Sequence, residues 1–126
     1  MRKALLTIAL TFAATTAMAD PVEGVWKTQV DDGAYAHVTM KPCGGAICGT
    51  ISRTFNSTGE YKSANLGKNL VWDMKPAGGG NYASGKIWQP STDKVYKSKM
   101  ALSGNTLQVS GCVGPICKKQ TWSRVK

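Results

Sequence analysis

The sequence is short of the residue types on which most enzymes and metal proteins rely. Its 126 residues include one histidine, His37, and only seven acidic residues. Asp31 and Asp32 are adjacent in a turn-like stretch, so their side chains point apart and do not form an acid–base pair of carboxylates. No spacing brings a serine, a histidine and an acid together. We therefore expect no catalytic residues, no cofactor and no metal site.

The sequence also lacks an apolar run long enough to cross a bilayer and any long stretch of helical periodicity. An apolar run at 4–14 follows a basic start and precedes Ala17–Ala19, a small-residue cleavage pattern. This order predicts a signal peptide over 1–19 and an exported domain over 20–126, in the periplasm or secreted. A retained N-terminal helix is the alternative. The mature protein is not expected to span a membrane.

Short segments of alternating polar and apolar residues, separated by turn residues, predict an all-β domain. Eight strands are expected, at 24–30, 34–41, 48–55, 69–76, 82–90, 94–102, 106–112 and 118–125. Residues 56–68 lack a strand pattern and are expected to form a loop or one short helix. Eight successive strands make an antiparallel up-and-down meander, and its closure into a barrel removes both sheet edges. The interior of such a barrel is filled by side chains or holds one small ligand.

All four cysteines stand in two C-x4-C loops, Cys43 with Cys48 and Cys112 with Cys117. Zinc sites usually use C-x2-C pairs, and thioredoxin-type centres place C-x-x-C at a helix N-terminus. Four residues between antiparallel strands bring the flanking Cα atoms to about 4.5–5.5 Å, which a disulfide accepts. In an oxidising compartment we expect two local disulfides, with cross-pairing between the loops and a metal or redox site as alternatives. The order of the strands puts the two loops at opposite ends of the barrel.

Two residues near the ends of the domain predict how the barrel closes. Trp26 lies in a Gly-x-Trp triplet at the start of the first strand, and Arg124 lies near the end of the last strand. Lipocalin-like (calycin) barrels close their bottom with an arginine of the last strand stacked on such a tryptophan, which gains cation–π and packing energy. A core tryptophan with an unrelated surface arginine is the alternative.

Four segments resemble the bacterial DUF2147 family of small exported proteins: GVWK at 24–27, PCGGAICGTI at 42–51, GKIWQPSTDKVYKSKMAL at 85–102 and LQVSGCVGPICKKQTWSRV at 107–125. The resemblance covers essentially the whole predicted mature chain, and the cysteine loops with QTW are its most specific parts. It implies a lipocalin-like β-barrel of undefined biochemical function, with no family-wide catalytic residues. Residues 56–68 depart most from the family pattern.

The sequence has an excess of basic residues. Residues 20–126 carry 14 basic and 7 acidic residues, a net charge of +7. This charge favours anionic small molecules, anionic lipid headgroups or a cell-envelope surface as partners. Nucleic acid is not expected as a partner of an exported protein. Because the lysines are scattered along the sequence, a surface that is simply kept soluble is the alternative.

Two functions remain open. The first is a non-catalytic barrel that binds a partly apolar or anionic small molecule. Its candidate ligand pocket consists of Trp72, Tyr82, Trp88, Tyr96 and Met100, which fit a filled core as well. The second is a solid structural or envelope-interaction protein that contacts an anionic surface through Lys94, Lys97, Lys99, Lys118 and Lys119. A connected interior cavity on the order of several hundred Å³ would favour the first function.

Overall fold

The alternating segments form antiparallel strands in the computed structural model, which describes residues 20–126. The strands are β1 (Gly24–Lys27), β2 (Tyr35–Cys43), β3 (Ala46–Asn56), β4 (Gly59–Tyr61), β5 (Asn69–Gly78), β6 (Asn81–Gln89), β7 (Lys94–Ser103), β8 (Thr106–Val113) and β9 (Ile116–Arg124). All of them except β4 form a ring in the order β1-β2-β3-β5-β6-β7-β8-β9, which closes where β9 pairs with β1. The predicted all-β, eight-stranded up-and-down barrel is confirmed. No helix in this part of the chain is long and apolar enough to cross a membrane. The predicted signal peptide at 1–19 lies outside the described residues.

A ninth strand, β4, lies in the segment that was expected to be a loop or a short helix. The side-chain oxygen of Asn56 accepts the backbone N–H of Thr58 at 2.9 Å and starts a turn, after which β4 pairs back onto the end of β3. Arg53 and Glu60 form an ion pair across this hairpin at 2.8 Å. All three residues of β4 are exposed, so this strand has no apolar alternation in the sequence. The prediction of a loop or one short helix over 56–68 is therefore wrong at 59–61, which form a strand.

The first strand is shorter than the sequence predicts, because it ends at Lys27 and does not reach Val30. The hydroxyl of Thr28 accepts the backbone N–H of Ala36 at 3.0 Å, a role that a backbone carbonyl plays in a regular ladder. Val30 is 56% exposed and does not belong to the core cluster. The ladder between β1 and β9 consequently spans two residue pairs.

Antiparallel pairing around the ring decides which connections lie at each end of the barrel. The connections after β2, β5 and β7 lie at one end with the start of β1, and we call this the closed end. The connections after β1, β3, β6 and β8 lie at the other end, which we call the open end. The two cysteine hairpins follow β2 and β8. They therefore lie at opposite ends, as strand order predicts.

The closed end is covered by the segment that precedes β1. The guanidinium carbon of Arg124 lies 4.4 Å from the centre of the Trp26 ring. The same guanidinium donates hydrogen bonds to the carbonyls of Pro21, at 2.6 Å, and Glu23, at 3.1 Å. The Trp26 indole N–H donates to the carbonyl of Val22, and both residues are fully buried. Charge-assisted bonds and cation–π stacking therefore hold this segment over the end of the barrel.

The barrel interior towards the closed end is filled by side chains. The largest of them are at most 2% exposed: Trp26, Met40, Met74, Leu107, Val109 and Trp122. A Cβ atom at Gly49 would lie only 2.7–2.9 Å from atoms of Val38, Met40 and Val71. A Cβ atom at Gly85 would collide with the Met74 side chain. Contacts this close are typical of a packed protein interior and leave no room for a ligand at these levels of the barrel.

Candidate functional site

The structure does not bring the five candidate pocket residues together. Tyr82 and Met100 face each other in the ladder between β6 and β7, and they are buried in the core near the closed end. Trp88 and Tyr96 are half-buried and pack against the edge of the core nearer the open end. Trp72 lines a separate depression with the first disulfide. Four of the five residues therefore contribute to the core, and Trp72 lies apart from them.

Tyr82 ties the closed end to the segment that covers it. Its hydroxyl donates a hydrogen bond to the carboxylate of Asp20. Burial is the main cause that raises the pKa of Tyr82 above its usual value of 10, and the hydrogen bond to Asp20 adds to it. The phenol is therefore neutral over the physiological range, and its polar group is already engaged within the protein.

The depression beside Trp72 has a volume of about 470 Å³ and is widely open to solvent. Cys43 and Cys48 line it as a disulfide whose Cα atoms are 5.7 Å apart, together with Asn69 and Asp73. Asp73 takes a left-handed backbone conformation, with φ of 54°, at an irregularity of β5. A carboxylate and an amide are the polar groups of this depression, so it offers an anion no cationic partner.

The second disulfide, Cys112–Cys117, joins β8 to β9 at the open end, and its Cα atoms are 4.0 Å apart. All four cysteines are thus held in local disulfides, and no free thiol remains in residues 20–126. In the same part of the chain no three His, Cys, Asp or Glu side chains are grouped as metal ligands. The cysteine loops act as clamps on two hairpins.

His37 belongs to an aromatic cluster on β2 and β3. Its ring centre is 4.7 Å from that of Phe55, which in turn stacks on Tyr35 at 4.7 Å. Arg53 is its partner in the ladder with β3, and Lys27 is its partner in the ladder with β1. Burial first, and then the positive charge of Arg53, lowers the pKa of His37 below 6.5. The cluster therefore favours the neutral form of the imidazole.

The fold gathers the net charge of the domain on one half of the barrel wall. Residues 20–80, which include β1 to β5, contain six basic and six acidic residues. Residues 81–126 form β6 to β9 and contain eight basic residues and one acidic residue. These four strands are consecutive in the ring, and we call them the basic wall. The interpretation that the lysines are scattered holds along the sequence, but it does not hold for the folded chain.

Within the basic wall, exposed lysines are neighbours across strands. Lys86 is directly opposite Lys97, and Lys99 and Lys119 are the two cross-strand partners of Ser110. Like charges directly opposite each other, as at Lys86 and Lys97, repel and destabilise a sheet. The one ion pair within residues 20–126 joins Arg53 to Glu60, so these four lysines have no carboxylate partner there. The wall therefore presents positive charge that the described chain leaves unneutralised.

A groove of about 350 Å³ crosses the basic wall. Its lining residues come from all four strands: Asn81, Tyr82, Ala83, Lys99, Met100, Ala101, Gln108, Ser110 and Lys119. Two ammonium groups flank a floor that includes small side chains, and two amides add hydrogen-bonding groups. Such a lining suits a phosphate, sulfate or carboxylate group that carries an apolar portion. The sequence pointed to both lysines as surface cations, but Asn81, Gln108 and Ser110 join them only through the strand register.

Comparisons with known proteins agree with this architecture. Protein HP1028 from the human pathogen Helicobacter pylori, described as belonging to the lipocalin family, matches with a TM-score of 0.65 and 18% sequence identity. The match covers 82% of this chain and 82% of that chain, and it confirms that the barrel is lipocalin-like. No curated protein matches the sequence. A family model described as "Uncharacterized protein conserved in bacteria (DUF2147)" matches residues 24–124. The chain therefore belongs to the DUF2147 family.

Proposed function

We propose that this protein is an exported, non-catalytic binding protein for a small anionic amphiphile, which it holds in the groove of the basic wall. One observation carries the proposal. The fold collects most of the net charge of the domain on β6 to β9, and a groove crosses that surface between Lys99 and Lys119. Unpaired positive charge beside a groove attracts and orients an anion.

The dimensions of the groove suit one anionic group. Lys99 and Lys119 stand on β7 and β9, with Ser110 between them on β8. Two strand spacings separate their Cα atoms by about 9–10 Å, and flexible side chains let both ammonium groups reach one phosphate or carboxylate. Ala83 and Ala101 leave room for a short apolar portion of the ligand at the floor. A bound anion also relieves the repulsion between the lysines.

This site lies on the outer face of the barrel and not in the interior that the sequence favoured. The packing around Gly49 and Gly85 leaves no space for a ligand in the interior near the closed end. The hydroxyl of Tyr82, which a ligand in the interior could otherwise use, is bound to Asp20. Of the candidate pocket residues, Tyr82 and Met100 are accordingly proposed to support the groove from within. Trp72, Trp88 and Tyr96 do not line it.

Export and the lack of catalysis are part of the same proposal. Two local disulfides are typical of an oxidising compartment, which agrees with the predicted signal peptide and a periplasmic or secreted location. His37, the only histidine, is packed against Phe55 beside a cationic Arg53, and the nearby acid, Glu60, is paired with that arginine. A binding role uses the groove without any proton-transfer group.

The proposal is tested by calorimetric titration of residues 20–126 with dodecyl phosphate and with dodecyl maltoside, both below their micelle concentrations. We expect dodecyl phosphate to bind, with an affinity that falls as salt is added, and the neutral maltoside to bind much more weakly. Replacing both groove lysines, Lys99→Gln with Lys119→Gln, should weaken binding about five- to tenfold, because each exposed charge contact contributes up to about 1 kcal/mol.

The matched control replaces Lys41→Gln with Lys62→Gln. Both of these lysines are exposed, and both lie outside the basic wall, so the net charge changes equally without touching the groove. Equal weakening in the two double variants would attribute binding to overall charge and would refute the groove. Equal binding of the phosphate and the maltoside would refute an anionic ligand.

A further inference from the structure

The hairpin between β8 and β9 presents two apolar side chains to solvent at the open end. Val113 and Ile116 are direct partners in the ladder and are 66% and 76% exposed. They are the two most exposed large hydrophobic residues in the described part of the chain. We call residues 113–116 the apolar tip. A turn needs no valine or isoleucine at these positions, so turn chemistry does not explain them.

The apolar tip is held in one conformation by the residues around it. The Cys112–Cys117 disulfide lies directly behind it, where the two Cα atoms are 4.0 Å apart. Gly114 supplies the left-handed conformation of the turn, with φ of 56°, and Pro115 restricts the chain further. A constrained tip loses little conformational entropy when it enters a partner surface.

Lysines surround the base of the apolar tip. Lys97 is the cross-strand partner of Cys112, and Lys118 and Lys119 follow Cys117 directly. The one acidic residue of the basic wall, Asp93, accepts a hydrogen bond from the Trp88 indole at 2.8 Å. Asp93 lies at the same end of the barrel, in the connection between β6 and β7, where Lys97, Lys118 and Lys119 outnumber it.

Exposed apolar residues are concentrated at the same end of the barrel. Beside the tip, four of them belong to the connections at the open end or to the strand residues that flank those connections: Val30, Tyr61, Leu66 and Val95. The remaining exposed large hydrophobic residue of the described chain, Val125, lies at the closed end. This uneven distribution favours the open end as the place where an apolar partner binds.

We propose that the apolar tip docks on the surface of an anionic lipid bilayer. Val113 and Ile116 enter the boundary between headgroups and acyl chains, while the lysines behind them lie at the level of the phosphates. Aliphatic side chains with a basic collar are the chemistry that an anionic membrane interface recognises. The tip itself is separate from the proposed groove, because no residue at 113–116 lines the groove, and Lys119 is the one lysine that belongs to both surfaces.

Vesicle co-sedimentation of residues 20–126 tests the inference. We expect binding to vesicles of phosphatidylglycerol and phosphatidylethanolamine and at least tenfold weaker binding to vesicles of phosphatidylcholine. The double substitution Val113→Ser with Ile116→Ser should lower partitioning by about tenfold or more, because it removes two apolar side chains from the interface. Lys97→Gln with Lys118→Gln should also lower partitioning about tenfold or more.

The matched control is Val125→Ser, which removes an exposed valine at the opposite end and should leave partitioning unchanged. The tip variant should keep the melting temperature of the parent and its affinity for dodecyl phosphate, which separates this inference from the groove. Unchanged vesicle binding by the tip variant would overturn the inference. So would a tip variant that alters only self-association without vesicles, because a second copy of the chain would then cover the tip.

Discussion

Substitution of Gly49 by alanine tests whether the barrel interior is filled. Gly49 lies in β3, where its backbone needs no positive φ, so alanine introduces no backbone strain. Its new Cβ would lie 2.7 Å from Val38 Cγ1, 2.8 Å from Met40 Sδ and 2.9 Å from Val71 Cγ2. All three neighbours are at most 2% exposed, and valine side chains have little rotamer freedom, so Val38 and Val71 do not move away at low cost even if Met40 adjusts.

The magnitude follows from overpacking. One methyl group forced into a packed core costs about 1–3 kcal/mol, which is partly offset by the smaller entropy of the unfolded alanine chain. At about 4 °C per kcal/mol for a domain of this size, Gly49→Ala should lower the melting temperature by about 4–12 °C. Circular dichroism with the disulfides intact measures this shift.

The control is Gly111→Ala, in a strand of the same barrel. A Cβ atom there would meet Ile87 at 3.5 Å and Tyr96 at 3.7 Å, which are ordinary contacts. We expect this variant to melt at the parent temperature or slightly above it. If Gly49→Ala were as stable as Gly111→Ala, the barrel interior beside Gly49 would have room for an added methyl group. A ligand site in the interior would then be supported.

Three further predictions concern the closed end and the aromatic cluster. Because the folded state raises the pKa of Tyr82, the contribution of this phenol to the free energy of unfolding is complete below pH 10 and is lost as the pH rises above 10. In urea titrations, the free energy of unfolding of Tyr82→Phe should therefore fall less than that of the parent as the pH rises past 10. Because the folded state lowers the pKa of His37, the contribution of the neutral imidazole to the free energy of unfolding is complete above pH 6.5 and is lost as the pH falls below it. In the same assay, the free energy of unfolding of His37→Gln should decline less than that of the parent as the pH falls below 6.5. Arg124→Leu removes the stacking on Trp26 and two charge-assisted hydrogen bonds, so the free energy of unfolding should fall by about 2–4 kcal/mol. A loss below about 1 kcal/mol would show that other contacts hold the segment before β1.

Much of the fold follows from the sequence because burial leaves a periodic pattern. The strand at 94–103 alternates clearly, and its inward residues Ser98 and Met100 are buried while Lys97 and Lys99 are exposed. β4 escapes prediction because a fully exposed three-residue strand carries no such pattern, although the turn residues at 56–59 mark its position. The early end of β1 coincides with a hydrogen bond that the Thr28 hydroxyl accepts from the Ala36 backbone N–H, which no periodicity encodes.

The candidate site was harder to predict because it depends on strand register. Lys99 and Lys119 are twenty residues apart in the sequence, and only the ladders of β7, β8 and β9 place them on either side of Ser110. The unequal distribution of acids and bases is visible in the sequence, but it becomes a surface only because β6 to β9 are neighbours in the ring. Core and pocket aromatics look alike in a sequence, so the packing of Tyr82 was not predictable.

The central claim is that an anionic group binds outside the barrel, between Lys99 and Lys119. Backbone amide chemical shifts of ¹⁵N-labelled residues 20–126, followed by NMR during titration with dodecyl phosphate, test this claim most directly. The largest changes are expected at 81–83, 99–101, 108, 110 and 119, which line the groove. Largest changes at inward-facing positions such as Gly49, Gly85 and Val109, with the groove unaffected, would contradict it.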